Sequence, residues 1–166
     1  MIRRVFLTGL SAALLLGCAS KTPSYDATYY LVRHAEKTTE KPDPALTEDG
    51  KQRAQDLAGR LANIPLTAIY SSDYTRTRNT AAPASKAQGL DVIIYDPRDL
   101  DGFAKSLLAQ KGHILVVGHS NTTPQLSALL GGEAGEPIVE ATEYDRFYVL
   151  QRRGDNVTGR IDTFGK

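Results

Sequence analysis

Short apolar runs alternate with segments of helical periodicity along most of the chain. The runs have the length and the aromatic or β-branched content of buried strands, and they lie at 29–32, 66–70, 92–95 and 113–118. Apolar residues three or four positions apart predict helices between them, such as the one that carries Ala54, Leu57, Ala58 and Leu61. This alternation predicts a parallel sheet covered by helices on both faces.

The last part of the chain has a different pattern. Residues 146–151 and 157–163 predict two strands joined around a short polar turn at 154–156, which indicates an antiparallel hairpin. The complete prediction is a three-layer α/β/α sandwich with a mostly parallel central sheet and a C-terminal antiparallel hairpin. One conflict lies in the second helix, which should end at Gly89, because Pro83 predicts a kink or a break within it.

The beginning of the chain has the anatomy of an export signal. Two arginines precede an apolar run at 5–16 and a group of small residues, and the four residues ending at Cys18 resemble a bacterial lipobox. We therefore predict a signal peptide at 1–17, a lipidated N-terminus and tether at 18–28 and one domain at 29–166. Alternatives are an exported form without lipid, a retained helical anchor, and export by the twin-arginine route.

The cysteine content and the net charge limit the kinds of partner that the protein can have. Cys18 is the only cysteine, so the chain cannot form an intramolecular disulfide, and lipid on this residue predicts a membrane partner. The location that follows is the bacterial cell envelope, with the domain facing the periplasm or the exterior. Twenty basic and nineteen acidic residues give a net charge of +1 without a basic block, so we expect no nucleic-acid partner.

Chemically reactive side chains follow the ends of the four predicted parallel strands. They are Arg33 and His34; Ser71, Ser72 and Arg76; Asp96, Asp99 and Asp101; and His119 with Ser120. Because the carboxyl ends of parallel strands meet at one edge of a sheet, we expect these groups to share a crevice. Guanidinium groups near a helix N-terminus favour a phosphate dianion, which a neutral histidine can attack at phosphorus.

Three motifs carry a family resemblance. LVRHAEK at 31–37, YSSDYTRTRNTA at 70–81 and VVGHS at 116–120 resemble, in order, the signatures of the histidine phosphatase superfamily in its phosphoglycerate-mutase-like branch. The resemblance implies that His34 becomes a phosphohistidine and that Arg33, Arg76 and His119 bind the phosphoryl oxygens. Ser120, before the next helix, is a further phosphate-binding candidate, and Ser120 or Asn121 should cap that helix.

The proton donor is where the chain departs from the family pattern. The family often supplies a glutamate beyond the third strand. This chain has only aspartates in the polar loop that the sequence predicts at 96–102, and Asp99 and Asp101 are the candidates. Without a donor, the enzyme would favour substrates whose leaving group departs without help.

Other roles for the motif residues have to be weighed. Arg76 and Arg78 lie two apart on a helix, so only one can face the site, and the family motif selects Arg76. His34, Glu36 and His119 could instead bind zinc, but the three do not include a convincing third protein ligand. We therefore predict no metal and no cofactor.

The sequence favours a phosphomonoesterase that hydrolyses a small-molecule or glycan phosphate ester through a phosphohistidine. Short connections leave little material for a capping subdomain, which favours hydrolysis by water over a mutase reaction. The alternatives are a protein phosphohistidine phosphatase and a non-catalytic envelope lipoprotein that binds phosphate-bearing ligands.

Overall fold

The computed structural model describes residues 25–165. Its strands are β1 (Ala27–Arg33), β2 (Leu66–Ser72), β3 (Val92–Tyr95), β4 (Gly112–Gly118), β5 (Arg146–Arg153) and β6 (Asn156–Thr163). Its helices are α1 (Glu48–Arg60), α2 (Thr75–Gln88), α3 (Leu100–Leu108) and α4 (Thr122–Leu129). The predicted signal peptide, Cys18 and most of the tether lie outside the described residues. Within 25–165, every helix is too short or too polar to cross a membrane.

The six strands form one mixed sheet in the order β3-β2-β4-β1-β5-β6. Strands β1 to β4 are mutually parallel where they pair, and β5 and β6 add an antiparallel hairpin beside β1. The predicted fold class is thereby confirmed. Strand β1 begins at Ala27, two residues before the predicted start of the domain, because Ala27 already pairs with Gly112 and with Arg152.

The central strand β1 is buried on both faces, as its continuous apolar sequence predicts. Tyr29 and Leu31 join the core under α3 and α4, whereas Tyr30 and Val32 join the core under α1 and α2. Successive side chains of a strand point to opposite faces, so one strand holds the two helical layers together. This packing fixes the end of β1, where the first motif continues.

Helix α2 corrects one expectation. It runs without a break through Pro83 and ends at Gly89, whose φ of 65° is the left-handed conformation that glycine adopts readily. Proline removes the hydrogen bond to the carbonyl four residues earlier, which belongs to Asn79. Asn79 lies on the exposed face of the helix, so water can satisfy that carbonyl and the helix continues.

Helix α3 begins earlier than the sequence suggested. Asp99 is its N-cap, with a carboxylate oxygen that accepts a hydrogen bond from the backbone N–H of Gly102 at 3.0 Å. Leu100, Phe103, Ala104 and Leu107 are buried from the first turn onwards. The segment that was expected to be a polar loop up to Gly102 is therefore partly helical.

Candidate active site

The carboxyl edge of the parallel strands holds a cavity of about 410 Å³ that His34, Arg76 and His119 line together. His34 follows β1, His119 follows β4, and Arg76 lies in the first turn of α2 after β2. The register pairs Arg33 with Gly118, so the two histidines leave adjacent strands at the same level. The structure thus brings together three residues from distant parts of the chain.

His34 is held by two backbone contacts. Its N–H donates to the carbonyl of Gly118 at 2.9 Å, and its ring Nδ1 lies 2.8 Å from the carbonyl oxygen of Ala35. Because a carbonyl only accepts, Nδ1 carries the proton and Nε2 carries the lone pair in the neutral ring. Burial, followed by the charges of Arg33 and Arg76, lowers the pKa of His34 from 6.5 to about 3.

The ring of His119 lies edge-on to His34, with 5.6 Å between the centroids. Arg76 Nη2 is 3.4 Å from His119 Nδ1, and because arginine only donates, Nδ1 accepts. Nε2 then donates to the hydroxyl of Ser72 at 2.8 Å, and that hydroxyl donates to Thr77. Burial and the charges of Arg76 and Arg33 lower the pKa of His119 to about 4, so both histidines are neutral at pH 7.

Besides its contact with His119, Arg76 is positioned by Tyr74 and Asp43. Its guanidinium carbon lies 4.5 Å from the centroid of the Tyr74 ring, and its Nη1 is 3.6 Å from a carboxylate oxygen of Asp43. Asp43 also accepts hydrogen bonds from the backbone and hydroxyl of Thr75, which lower its pKa. Arg76 Nε is buried and has no partner among the described residues, so it retains a hydrogen bond for a ligand. The neighbouring Arg78 instead pairs with Asp73.

Arg33 lies behind His34 and does not line the cavity. Its side chain is fully buried, and its terminal nitrogens donate to the carbonyls of Glu143 and Glu140, each at 2.8 Å. Its guanidinium carbon is 4.1 Å from the centroid of the Tyr144 ring, and its Nε has no partner in the part of the chain that the structure describes. Arg33, the residue directly before His34, therefore ties the loop before β5 to the end of β1.

The start of α4 contributes Ser120, Asn121 and Thr122 to the cavity lining. Capping by the side chain of Ser120 or Asn121 was a wrong prediction, because Asn121 is the N-cap residue without a side-chain capping bond. Instead, the hydroxyl of Thr122 accepts a hydrogen bond from the backbone N–H of His119 at 3.0 Å. The helix N-terminus still faces the cavity and favours a bound anion.

Asp99 and Asp101 do not line the cavity, contrary to what their place after β3 suggested. Asp99 is occupied as the cap of α3, and Asp101 is exposed in the first turn of that helix. Among the acidic residues of the described chain, Glu140 in the loop before β5 is the one that lines this cavity. The sequence around Glu140 contains no motif or periodicity that would identify it as a site residue. Its backbone carbonyl is held by Arg33, a residue 107 positions away.

Glu36 has a structural role that excludes the alternative zinc site. Its carboxylate pairs with Arg53 of α1, with contacts of 2.7 to 3.0 Å to two guanidinium nitrogens. Over residues 25–165 no group of three or more His, Cys, Asp or Glu side chains is arranged to hold a metal ion. The pairing holds the segment after His34 against α1.

Comparisons of the sequence with known families support the predicted relationship. Residues 29–98 match the model of the histidine phosphatase superfamily, branch 1. A segment of 76 residues is 40% identical to the "Probable phosphoglycerate mutase GpmB" of Escherichia fergusonii, and it covers 42% of this chain and 35% of that protein. The chain therefore matches about a third of the length of this curated relative. These matches support the resemblance to the histidine phosphatase superfamily over residues 29–98, which are less than half of the chain.

Solved structures match the fold over most of the chain. The protein histidine phosphatase SixA, complexed with tungstate, has a TM-score of 0.65 and 16% identity, over 82% of this chain and 96% of SixA. A mycobacterial glucosyl-3-phosphoglycerate phosphatase has a TM-score of 0.62 and 15% identity, over 82% of this chain and 97% of that one. At these identities the likeness shows the fold alone.

Proposed function

We propose, from the relationship to the histidine phosphatase superfamily and the geometry of the site, that this protein is a phosphomonoesterase that works through a phosphohistidine. The observation that carries the proposal is the cavity itself. It joins the neutral, backbone-oriented ring of His34 to the cation of Arg76 and to His119. A nucleophile and its anion-binding groups thus face the same space.

The cavity suits a phosphoryl group better than a carboxylate. Arg76 offers a guanidinium with a spare donor, the N-terminus of α4 offers backbone N–H groups, and Lys37 adds a further cation to the lining. Arg33 adds positive charge from behind His34. These groups are fixed before substrate arrives, which is how enzymes stabilise charge that develops in a transition state.

The proposed reaction has two displacements. The lone pair of His34 Nε2 forms a bond to phosphorus while the bond from phosphorus to the leaving oxygen breaks. The hydrogen bond from Nδ1 to Ala35 keeps the ring in the required tautomer and orientation. Water then forms a bond to phosphorus, the N–P bond breaks, and inorganic phosphate leaves.

The leaving oxygen needs a proton, for which we propose Glu140. Of the other carboxyl groups near this edge of the sheet, Asp43 is paired with Arg76 and Asp99 caps a helix. Glu140 lines the cavity, and its charge interacts with that of Arg33. It would give its proton to the leaving group and recover one from the attacking water.

A small-molecule or glycan phosphate ester is the substrate class that we favour. The cavity is open at the protein surface, and one of the fold neighbours is named as a glucosyl-3-phosphoglycerate phosphatase. SixA, named as a protein histidine phosphatase, makes phosphohistidine the second candidate substrate. The envelope location implied by residues 1–18 stays a prediction.

Covalent labelling tests the proposal directly. Wild-type protein mixed with ³²P-acetyl phosphate and quenched in alkali should retain label, and His34→Ala should lose it. Arg76→Ala should label much more slowly, whereas Arg78→Ala, two residues away but paired with Asp73, is the matched control and should label normally. A wild-type protein without label, or a labelled His34→Ala, would overturn the proposed mechanism.

A further inference from the structure

A second cavity of about 440 Å³ adjoins the proposed phosphate cavity. The two share Tyr74, Pro97 and Arg98 as lining residues, so they form one continuous depression at the carboxyl edge of the sheet. The second cavity extends over the ends of β2 and β3, where Ile94 contributes to its lining. A group attached to a phosphate in the first cavity therefore lies close to the second cavity.

The lining of the second cavity contains unusually exposed apolar side chains. Tyr74 is 40% exposed and Ile94 is 47% exposed, although both lie beside a site built for an anion. Ile93, the preceding residue on the edge strand β3, is 46% exposed but does not line this cavity. Strand alternation explains the difference, because neighbouring side chains point to opposite faces.

Charges at the rim of the second cavity are paired with each other. Asp73 pairs with Arg78, and Asp96 accepts two hydrogen bonds from Arg98 at 2.9 Å. The rim therefore holds no cation without a partner in the described chain that would bind a second phosphate or a carboxylate. What remains for recognition is the apolar surface of Tyr74, Ile94 and Pro97.

Tyr74 connects the two cavities chemically. Its ring is nearly perpendicular to that of His119, with 5.0 Å between centroids, and the guanidinium carbon of Arg76 lies 4.5 Å from its centroid. The ring is thus fixed by the same residues that face the phosphoryl group, while two fifths of the side chain remains exposed. A flat apolar group joined to that phosphoryl group would lie against it in an aromatic contact.

We infer that the second cavity binds the leaving group of the substrate and selects a flat, apolar alcohol, such as an aryl group, over a bare sugar. The inference rests on the proposed function, because it assigns the part of the ester that leaves when His34 attacks. Tyr74 and Ile94 are then specificity-determining residues that act on binding, while the chemical step belongs to the first cavity.

Two esters with the same reacting bond separate apolar recognition from chemistry. Phenyl phosphate and 2-naphthyl phosphate both release a phenol-type alcohol and differ mainly in flat apolar area. The wild-type protein should show a lower KM for 2-naphthyl phosphate, and Ile94→Ser should lose about tenfold in kcat/KM for it, mostly through KM. Ile93→Ser is the matched control and should behave as wild type.

The outcomes distinguish this inference from the proposed function. Equal effects of Ile94→Ser and Ile93→Ser, or an equal loss for 2-naphthyl phosphate and glycerol 2-phosphate, would overturn the leaving-group site. Labelling of Ile94→Ser by ³²P-acetyl phosphate should remain normal, which shows that the first cavity is intact. A wild-type protein that takes no label would overturn the proposed function itself, and the inference with it.

Discussion

The buried ring of His34 should make the folded protein sensitive to mild acid. In the folded state the pKa of His34 is about 3, whereas the free side chain has a pKa of 6.5. Below pH 6.5 the ring of His34 is therefore protonated in the unfolded chain but stays neutral in the folded chain. The free energy of unfolding should fall as the pH decreases from 6.5 towards 3, and should be unaffected by His34 above 6.5.

The size of the effect follows from the shift. Each pH unit below 6.5 should cost about 1.4 kcal/mol for His34, so that the loss between pH 8 and pH 5 is about 2 kcal/mol. The side chain is 3% exposed, so solvent screening reduces this value little. His119, with a pKa of about 4, should add a loss in the same direction, because it also stays neutral in the folded state at pH 5.

Urea denaturation at pH 8 and at pH 5 measures this contribution. The substitution His34→Asn removes the titrating group. From pH 8 to pH 5, the unfolding free energy of this variant should therefore decrease by about 2 kcal/mol less than that of the wild type. Carboxyl groups contribute to both proteins and cancel in the comparison. Tyr74→Phe, which keeps both histidines, should show the wild-type decrease. An equal decrease in His34→Asn and wild type would refute the reasoning.

Two other predictions concern the proton donor and the lipid. Glu140→Gln should lower kcat about 100-fold for alkyl phosphates, whose leaving group needs a proton, while leaving labelling by acetyl phosphate nearly unchanged. Asp99→Asn and Asp101→Asn should hydrolyse both kinds of substrate at nearly the wild-type rate, and an alkyl phosphatase activity that survives in Glu140→Gln would exclude Glu140. Cys18→Ser should abolish incorporation of labelled palmitate and release the protein from the membrane fraction, and a variant that stays with the membrane would argue for a retained helical anchor.

The fold was predictable because its strongest signals are local. The strand β4 appears as a run of four consecutive aliphatic residues, and the ends of α1 and α2 are marked by Thr47 and Gly89. Once parallel strands are inferred, the meeting of His34 and His119 follows from topology alone. The position of the phosphate cavity therefore needed no knowledge of side-chain contacts.

The sequence contains the signals for the true start of α3, although the predicted helix starts later than the observed one. Leu100 stands three residues before Phe103 and continues the apolar face, and Asp99 is a favoured N-cap residue. An aspartate after β3 can be a catalytic residue in a loop, but it can equally be the N-cap of the next helix. Asp99 has the capping role: its carboxylate binds the backbone of α3, and it does not line the cavity.

Glu140 was beyond reach of sequence reasoning. It lies in an irregular segment without periodicity, and its backbone reaches the cavity because Arg33 binds the carbonyls of that segment. Such a contact joins residues more than a hundred positions apart and depends on the whole sheet being in place. Tyr74 and Ile94 were missed for a related reason, since exposure on an edge strand or a helix cap is a property of the assembled surface.

The direction of β1 also decides how an anchored molecule would face its surroundings. This strand enters the sheet at Ala27, and its 7 residues end at Arg33 beside the cavity, a distance of roughly 20 Å at about 3.3 Å per residue. A lipid on Cys18 would therefore hold the domain from the side opposite to the phosphate cavity. The mouth of the proposed phosphate cavity would open away from the bilayer, towards esters that diffuse in the surrounding compartment, and phosphate groups on the supporting membrane would lie behind it.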